Sequence, residues 1–159
     1  MKRRNGSPSL SESDFGPLPI MRLRPDAVLP ARAHAEDAGF DLVAVEQCGI
    51  EPGERQPVPT GIAVAVPTGH AGLVLPRSGL ARKHGITVMN APGLIDAGYR
   101  GEIVVTLINH GSERYAIAAG DRIAQLVVAP LSAVAAVEVD ELPASGDGRD
   151  AGGFGSSGR

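Results

Sequence analysis

The sequence predicts an all-β domain, a sandwich or barrel of short strands, and three observations support this prediction. The 159 residues contain 21 glycines and 13 prolines, whereas aromatic residues make up only 3%. Short apolar runs are separated at close spacing by turn-forming residues. Only residues 77–85, RSGLARKHG, have a helical pattern, and they span about two turns. At this length we expect one domain with its own core.

Seven segments have the alternation or the apolar content of β-strands. In order along the chain they are residues 20–24, 38–45, 60–66, 71–76, 101–110, 120–130 and 133–141. Residues 20–24, IMRLR, alternate apolar and polar side chains, and 60–66, TGIAVAV, place their valines and isoleucine on one face. Residues 101–110, GEIVVTLINH, carry apolar side chains on both faces, which predicts a strand buried on both sides.

The two ends of the chain have a different composition from the middle. Residues 1–17 are polar and turn-rich, and from Pro143 onward the chain consists mainly of glycine, serine, aspartate and alanine. Such segments do not bury enough apolar surface to offset the entropy of ordering. We therefore expect a disordered leader at 1–17, the β domain at 18–142 and a flexible tail at 143–159.

Composition also argues against several classes of protein. The net charge of −3 does not suggest a nucleic-acid-binding surface, and no apolar segment is long enough to span a bilayer. Lys2, Arg3 and Arg4 are not followed by the hydrophobic run of a secretory signal. A single cysteine, Cys48, rules out an intrachain disulfide. We expect a cytoplasmic protein whose partners include neither nucleic acid nor a membrane.

Residues 76–81, PRSGLA, join a predicted strand to the short helix. Arg77 supplies a fixed positive charge, and the amide groups of Ser78 and Gly79 at the helix start can bind an anion. Glycine allows a ligand to approach the backbone closely. The alternative interpretation is an ordinary helix start with a surface arginine. Both interpretations remain open at this point.

Residues 90–103, NAPGLIDAGYRGEI, hold the richest set of chemical groups. Pro92, Gly93 and Gly98 favour a hairpin whose backbone is free to recognise a ligand. Asp96 lies among apolar and small neighbours, where a carboxylate can act as general base for a water molecule. Tyr99 offers a flat ring with a polar tip. The alternative is a turn in which Asp96 caps backbone N–H groups.

Two further segments carry charge within apolar surroundings. Asp41 in AGFDLVA points inward from a predicted strand, and a buried carboxylate needs a partner, which Arg77 or another arginine can supply. For Asp41 the structural interpretation, a buried ion pair, is favoured. In GDRIAQL, Arg122 and Gln125 follow a turn, and a structural role is again the alternative. The tail adds an isolated Phe154 within a glycine-serine run.

Taken in order, AGFDL, PRSGLA, NxxGLIDxxYRGEI, GDRIAQL and RxxGGFGSSG closely resemble the five motifs of the homotrimeric dUTP pyrophosphatases, the dUTPases. The resemblance covers about residues 20–158 with family-like spacing. It implies a distorted jelly-roll or β-barrel of the β-clip type, a homotrimer, and shared active sites built from all three chains. The implied reaction is Mg²⁺-dependent hydrolysis of dUTP to dUMP and pyrophosphate, which limits uracil incorporation into DNA and supplies dUMP for dTMP synthesis.

The resemblance also implies roles for individual residues. Asp96 would be the catalytic base that activates water for attack on the α-phosphorus. The implied substrate-binding residues are Arg77, Ser78, Gly79, Asn90, Gly93, Leu94, Ile95, Asp96, Tyr99, Gln125, Arg149, Phe154, Gly155, Ser156 and Ser157. Asn90 and the hairpin backbone would read uracil, while Tyr99 would lie under the deoxyribose and exclude a 2′-hydroxyl. The Arg77 segment and Gln125 would bind phosphates.

The same resemblance accounts for the metal and the tail. Mg²⁺ would be held by the substrate phosphates and water, with Asp41 acting on that site through water and ion pairs. Phe154 would stack on uracil while Arg149 and the two tail serines bind the γ-phosphate, so that residues 143–159 form a lid. Asp150 and Ala151 follow Arg149 where the family has a glycine, so slower or weaker closure is expected at most.

Two alternatives to this function remain. A dCTP deaminase-like enzyme has the same fold but needs a base-activating glutamate and a pocket for the cytosine amino group, whereas this chain has GLIDAGY. A non-catalytic nucleotide-binding trimer needs neither Asp96 beside Tyr99 nor a lid carrying Phe154. Substitution of Asp96 by asparagine separates a hydrolase from a binding protein.

Overall fold

The computed structural model describes residues 16–132 and 134–146, so nearly all of the predicted leader and residues 147–159 lie outside the described residues. Within the described ranges the chain forms eleven β-strands and one α-helix, which confirms the all-β prediction. The elements are β1 Ile20–Arg22, β2 Phe40–Val43, β3 Cys48–Ile50, β4 Arg55–Pro59, β5 Ile62–Val64, β6 His70–Pro76, α1 Ser78–His84, β7 Ile86–Val88, β8 Gly93–Ile95, β9 Val104–Asn109, β10 Tyr115–Ile117 and β11 Arg122–Pro130.

The strands form four antiparallel sheets. The largest has the order β2-β11-β6-β8, the second has the order β4-β9-β7, and β1-β5 and β10-β3 form two-stranded sheets. The nine-residue β11 lies between β2 and β6 and pairs with both. These sheets surround one apolar core without closing into a single barrel.

The core is built from the inward faces of the strands, as the two-residue period of β-structure requires. Leu42 of β2 and Leu126 of β11 have no exposed surface, and Val105 of β9 is 1% exposed. Isoleucine, leucine and valine dominate this cluster. Burial of an aliphatic side chain of this size contributes about 1.5–3 kcal/mol, so the core orients the strands that carry the polar groups described below.

Two predictions for strands are wrong in the described chain. Residues 134–141 form no strand, and Val134 and Val137 are 85% and 75% exposed. The alternation there is real, but a strand needs a hydrogen-bonded neighbour, and the described chain supplies none. The segment 101–110 is buried on one face only, since Val104 on the other face is 47% exposed. Its strand, β9, begins at Val104.

Apart from 133–141, every predicted strand segment, including 101–110, contains a strand, and the helix predicted at 77–85 is α1. Sequence analysis did not find the short strands β3, β4, β7, β8 and β10, which have three to five residues each. A strand of three residues is recognised only where a longer pattern surrounds it, as for β1 and β5, and these segments show none. In residues 16–132 and 134–146, no helix has the length and apolar character needed to cross a membrane.

Candidate active site

An open pocket of about 180 Å³ lies between the β8 segment and β9. It brings together six of the predicted site residues, Asn90, Gly93, Leu94, Ile95, Asp96 and Tyr99. Its other lining residues, which sequence analysis did not single out, are Val74, Val88, Glu102, Ile103, Val104, Val105 and Thr106. The pocket is therefore apolar along its strands and polar at its mouth.

The position of β8 against β6 shapes the base of this pocket. Gly93 pairs with Val74, and Ile95 pairs with Gly72. A Cβ atom at Gly93 would lie 3.2 Å from Cβ of Val74 and 3.5 Å from Nδ2 of Asn90. A larger residue would therefore press on Val74 in the pocket wall, while its contact with Asn90 would be an ordinary van der Waals contact. Ile95 is buried, whereas Leu94 is 64% exposed because it points to the other face of β8.

Asp96 follows β8 and is exposed at the pocket. The backbone N–H of Tyr99 donates to the backbone carbonyl of Asp96 at 3.0 Å, so the main chain closes this turn. Among residues 16–132 and 134–146, no hydrogen bond or ion pair involves the Asp96 carboxylate. A carboxylate in this state can accept a proton from water bound in the pocket.

Tyr99 forms the side of the pocket next to Asp96. Its ring is 46% exposed, and its hydroxyl donates to the backbone carbonyl of Glu102 at 2.9 Å. The Glu102 side chain in turn accepts a hydrogen bond from the backbone N–H of Gly61 at 2.7 Å. The loop that carries Asp96 and Tyr99 is thus joined to the turn between β4 and β5. Sequence analysis did not find this contact, because two backbone groups take part in it.

A second polar cluster lies on β2, β11 and the start of α1. The Asp41 carboxylate accepts a hydrogen bond from Nη1 of Arg122 at 3.0 Å, and its other oxygen lies 3.3 Å from Nε of Arg77. Nη1 of Arg77 also donates to the backbone carbonyl of Arg122 at 3.0 Å. The predicted ion pair of a buried Asp41 with Arg77 is confirmed, and Arg122 is a second partner. Gln125 lies directly opposite Asp41 on the neighbouring strand.

One oxygen of this cluster is incompletely satisfied. Asp41 is 9% exposed, and its Oδ1 accepts no well-aligned hydrogen bond although the Arg77 guanidinium is near. This oxygen is itself buried, and the Arg77 guanidinium is the positive charge that lies against it. Ser78 and Gly79 follow Arg77 as exposed residues of α1, and the space around Gly79 is open. No side chain caps the start of this helix.

The pocket and the Asp41 cluster lie at opposite edges of the largest sheet. Gln125 of β11 pairs with Asp41 on one side and with Leu75 of β6 on the other. Ile95 of β8 pairs with Gly72, which lies three residues before Leu75 on β6. Three strand spacings of about 4.8 Å and three residue rises of about 3.3 Å place Asp41 and Ile95 about 17 Å apart. Asp96, next to Ile95, is therefore far from Asp41 within one chain.

The remaining predicted site residues cannot be located. Arg149, Phe154, Gly155, Ser156 and Ser157 lie outside the described residues. Within the described ranges there is no group of three or more histidine, cysteine, aspartate or glutamate side chains that could hold a metal ion.

Comparison with known proteins identifies relatives over most of the chain. Residues 26–158 match the family model described as dUTPase. The deoxyuridine 5′-triphosphate nucleotidohydrolase of Leifsonia xyli subsp. xyli is 54% identical over 147 residues, which are 92% of this chain and 93% of that protein. The protein of the same name from Thermobifida fusca is 56% identical over 140 residues, 87% of this chain and 77% of its own length.

Solved structures show the same similarity. A mutant dUTPase of Staphylococcus bacteriophage 80alpha in complex with dUpNHpp has a TM-score of 0.82 and 29% identity, covering 90% of this chain and 99% of its own. A mutant dUTPase from phage phi11 of S. aureus, described with a coordinated structural Mg(II) ion, has a TM-score of 0.74 and 30% identity. That comparison covers 79% of this chain and 98% of the phage protein.

Proposed function

Because the chain belongs to the dUTPase family, we propose that it hydrolyses dUTP to dUMP and pyrophosphate. The observation that carries the proposal is the pocket in which the unpaired Asp96 carboxylate lies beside Tyr99 and Asn90. Asp96 accepts a proton from water, and the water oxygen attacks the α-phosphorus while pyrophosphate leaves. The single free cysteine, Cys48, is compatible with work in the reducing cytoplasm.

Different pocket residues contact the base and the sugar of the substrate. Asn90 and the exposed backbone of β8, an edge strand of its sheet, hydrogen-bond the polar edge of uracil. Tyr99 lies against the deoxyribose, and its ring leaves no room for a 2′-hydroxyl. Gly93 supports this arrangement because a side chain there would press on Val74 of β6, against which the β8 backbone is held. The pocket therefore selects both the base and the sugar of dUTP.

The Asp41 cluster is suited to bind the triphosphate. Arg77 is held by Asp41 and by the carbonyl of Arg122, so that its orientation is set before substrate arrives. Ser78 and Gly79 are exposed beside it, and Gln125 lies on the adjacent strand. A guanidinium with a fixed orientation binds phosphate oxygens with less loss of side-chain entropy than a mobile one.

The residues present also fit a magnesium ion that the substrate brings. Mg²⁺ prefers oxygen ligands, keeps several waters and is commonly bound with substrate phosphates. Asp41 would act on such an ion through the two guanidinium groups that its oxygens contact, those of Arg77 and Arg122. When bound, Mg²⁺ neutralises phosphate charge and fixes the geometry of the triphosphate. Asp41 and Arg77 orient this assembly, and Asp96 activates the attacking water.

We further propose that the active site is completed in a homotrimer. Water activated at Asp96 must reach a phosphorus atom held by Arg77, yet in one chain Arg77 follows one end of β6, whereas Asp96 follows Ile95, whose partner Gly72 lies near the other end of β6. A neighbouring subunit that presents its Asp41 cluster to the pocket removes this separation. The exposed apolar residues of 131–142 support the same assembly, because an unpaired apolar segment gains stability by packing on another chain. The tail, with Arg149, Phe154, Gly155, Ser156 and Ser157, closes as a lid over bound dUTP.

The reaction is tested by pyrophosphate release from the common ribonucleoside and deoxyribonucleoside triphosphates, with and without Mg²⁺. We expect metal-dependent release from dUTP alone. Asp96→Asn should lower kcat by about 10²–10⁴-fold with little change in dUTP affinity, because only the proton acceptor is lost. Asp26→Asn, an exposed aspartate paired with Arg24, is the matched control and should retain turnover. Deamination of dCTP, or nucleotide binding without turnover in the unmodified protein, contradicts the proposal.

Shared sites are tested by mixing two inactive variants. Asp96→Asn and Arg77→Ala chains are refolded together in equal amounts. If each site takes Asp96 and Arg77 from different subunits, every mixed trimer has one intact site of three, and about a quarter of wild-type activity returns. If both residues serve the site of their own chain, no site is intact and the mixture stays as inactive as its components.

A further inference from the structure

We propose that Glu102 and Gly101 are positioning residues that fix the Tyr99 ring and thereby set discrimination between dUTP and UTP. The inference rests on the proposed function, in which Tyr99 lies against the sugar. Neither residue was singled out by the sequence, and neither takes part in the proton transfer. Both act on Tyr99 through contacts that are present before substrate binds.

The first contact is the close approach of the Tyr99 ring to Gly101. A Cβ atom at residue 101 would lie 2.6 Å from Cζ and 3.0 Å from Cε2 of Tyr99, and closer still to its hydroxyl. These distances are shorter than van der Waals contact allows, so any side chain at this position displaces the ring. Because Tyr99 is half-exposed, its ring can move outwards, so a side chain at residue 101 changes the position of the ring.

The second contact holds the acceptor of the Tyr99 hydroxyl. Tyr99 donates to the backbone carbonyl of Glu102, and the Glu102 carboxylate accepts from the N–H of Gly61. Gly61 has φ of +67°, and a Cβ atom there would lie 2.9 Å from Cβ of Ala27 and 3.1 Å from Cγ1 of Val45. The turn whose N–H group bonds to Glu102 is thus packed tightly against buried residues.

Two further hydrogen bonds hold the residue after Glu102 to the same turn. The hydroxyl of Thr60 donates to the carbonyl of Ile103 at 2.6 Å, and the N–H of Ile103 donates to the carbonyl of Ile62 at 2.9 Å. Thr60 is 1% exposed, so its bond is shielded from water. The carbonyl that holds Tyr99 is therefore connected to the core through three hydrogen bonds, whereas Arg100 bonds only to carbonyls of its own loop.

A fixed ring is what sugar discrimination requires. A ribose hydroxyl is one oxygen atom larger than the hydrogen it replaces, and a ring free to move by about an atomic radius accommodates it. Loss of the Glu102 carboxylate leaves the Tyr99 ring in place on average but widens its motion. The expected result is an increase in kcat/KM for UTP relative to dUTP, rather than a uniform loss of activity.

The test compares Glu102→Ala with the conservative Glu102→Gln, whose amide oxygen still accepts the Gly61 N–H. We expect the ratio of kcat/KM for dUTP to that for UTP to fall at least tenfold in Glu102→Ala and to stay within about threefold of wild type in Glu102→Gln. Gly101→Ala should lower the ratio at least as much. An unchanged ratio in folded Glu102→Ala and Gly101→Ala overturns the inference, because a merely structural role lowers stability without changing selectivity.

A second readout needs no substrate. The chain has two tyrosines and no tryptophan, so in a Tyr115→Phe background Tyr99 is the only strong fluorophore. Its fluorescence anisotropy should fall in Glu102→Ala and stay at the parent value in Glu102→Gln. If Glu102→Ala does not fold, Thr60→Val, which lacks the hydroxyl, is compared in the same way with Thr60→Ser, which keeps it. If the protein does not hydrolyse dUTP, the proposed function fails, whereas an unchanged anisotropy in these variants refutes the anchoring of Tyr99 by itself.

Discussion

The Asp41 cluster makes the strongest prediction about both stability and activity. Asp41 is buried and lies within 3.3 Å of two guanidinium groups, whose side chains are 24% and 51% exposed for Arg77 and Arg122. Asp41→Asn removes the negative charge and preserves the size of the side chain. The two arginines are then left beside a neutral amide, and one hydrogen bond to its oxygen remains possible.

The magnitude follows from distance and exposure. At an effective dielectric constant of about 20, the attraction of each pair is about 5 kcal/mol. Hydration of the partly exposed guanidinium groups cancels much of it, so breaking the cluster costs about 3 kcal/mol. The hydrogen bond kept by asparagine returns about 1 kcal/mol. We therefore expect a net loss of about 2 kcal/mol, which lowers the thermal midpoint by about 4–8 °C for a chain of this size.

The measurement is thermal unfolding at fixed protein concentration, with Asp26→Asn as control. Asp26 also pairs with an arginine at 3.0 Å, but its side chain is 56% exposed, so we expect little change in its midpoint. In folded Asp41→Asn, kcat/KM for dUTP should also fall at least tenfold, because Arg77 loses its carboxylate partner. Equal midpoints for the two variants would refute the reasoning, since burial would then have no influence on the pair.

Three other predictions concern single residues. Asn109 is fully buried; its amide N–H groups donate to the carbonyls of Ile50 and Glu113, and its amide oxygen accepts from the N–H of Gly111. Asn109→Ala should therefore lower the free energy of unfolding by about 3 kcal/mol, measured by urea denaturation. A loss below about 1 kcal/mol contradicts these contacts. Burial raises the pKa of the Cys48 thiol, so at pH 8 DTNB should react more slowly with the native protein than with protein unfolded in urea; equal rates argue against burial. Burial, and then the charge of Asp121, raise the pKa of Tyr115, with Arg77 opposing them in part. Because this pKa is higher in the folded than in the unfolded protein, Tyr115 stabilises the fold below about pH 10, and this contribution is lost as the pH rises through the folded value. Relative to its stability at pH 8, Tyr115→Phe should therefore lose less free energy of unfolding than wild type between about pH 9 and pH 11.

Much of the fold was predictable because burial leaves a strong pattern in a sequence. Long strands such as β9 and β11 are mainly apolar over six and nine residues, which is enough to be recognised. The partner of Asp41 was predictable for a related reason, since a carboxylate among apolar neighbours needs an opposite charge. Short strands and the pairing order β2-β11-β6-β8 were not predictable, because they depend on contacts between distant segments.

The candidate site was only partly predictable for the same physical reason. Asp96 and Tyr99 stand out because their side chains are unusual in a glycine-rich turn. Glu102 does not, because its importance arises from a bond to the backbone of Gly61, which any residue type except proline could donate. The error at 134–141 has another cause, since alternation indicates an extended amphipathic segment without indicating which chain it pairs with.

The central position of β11 has a consequence for how the protein is made. β2 and β6 meet only through β11, yet β11 is the last strand of the described chain to leave the ribosome. Until then, the nascent chain holds two sheet edges that have no neighbour, and edges of this kind attract other chains. The largest sheet is therefore completed only after every other strand of the described chain has been made. Slow translation between β6 and β11 lengthens the interval in which these edges stay unpaired.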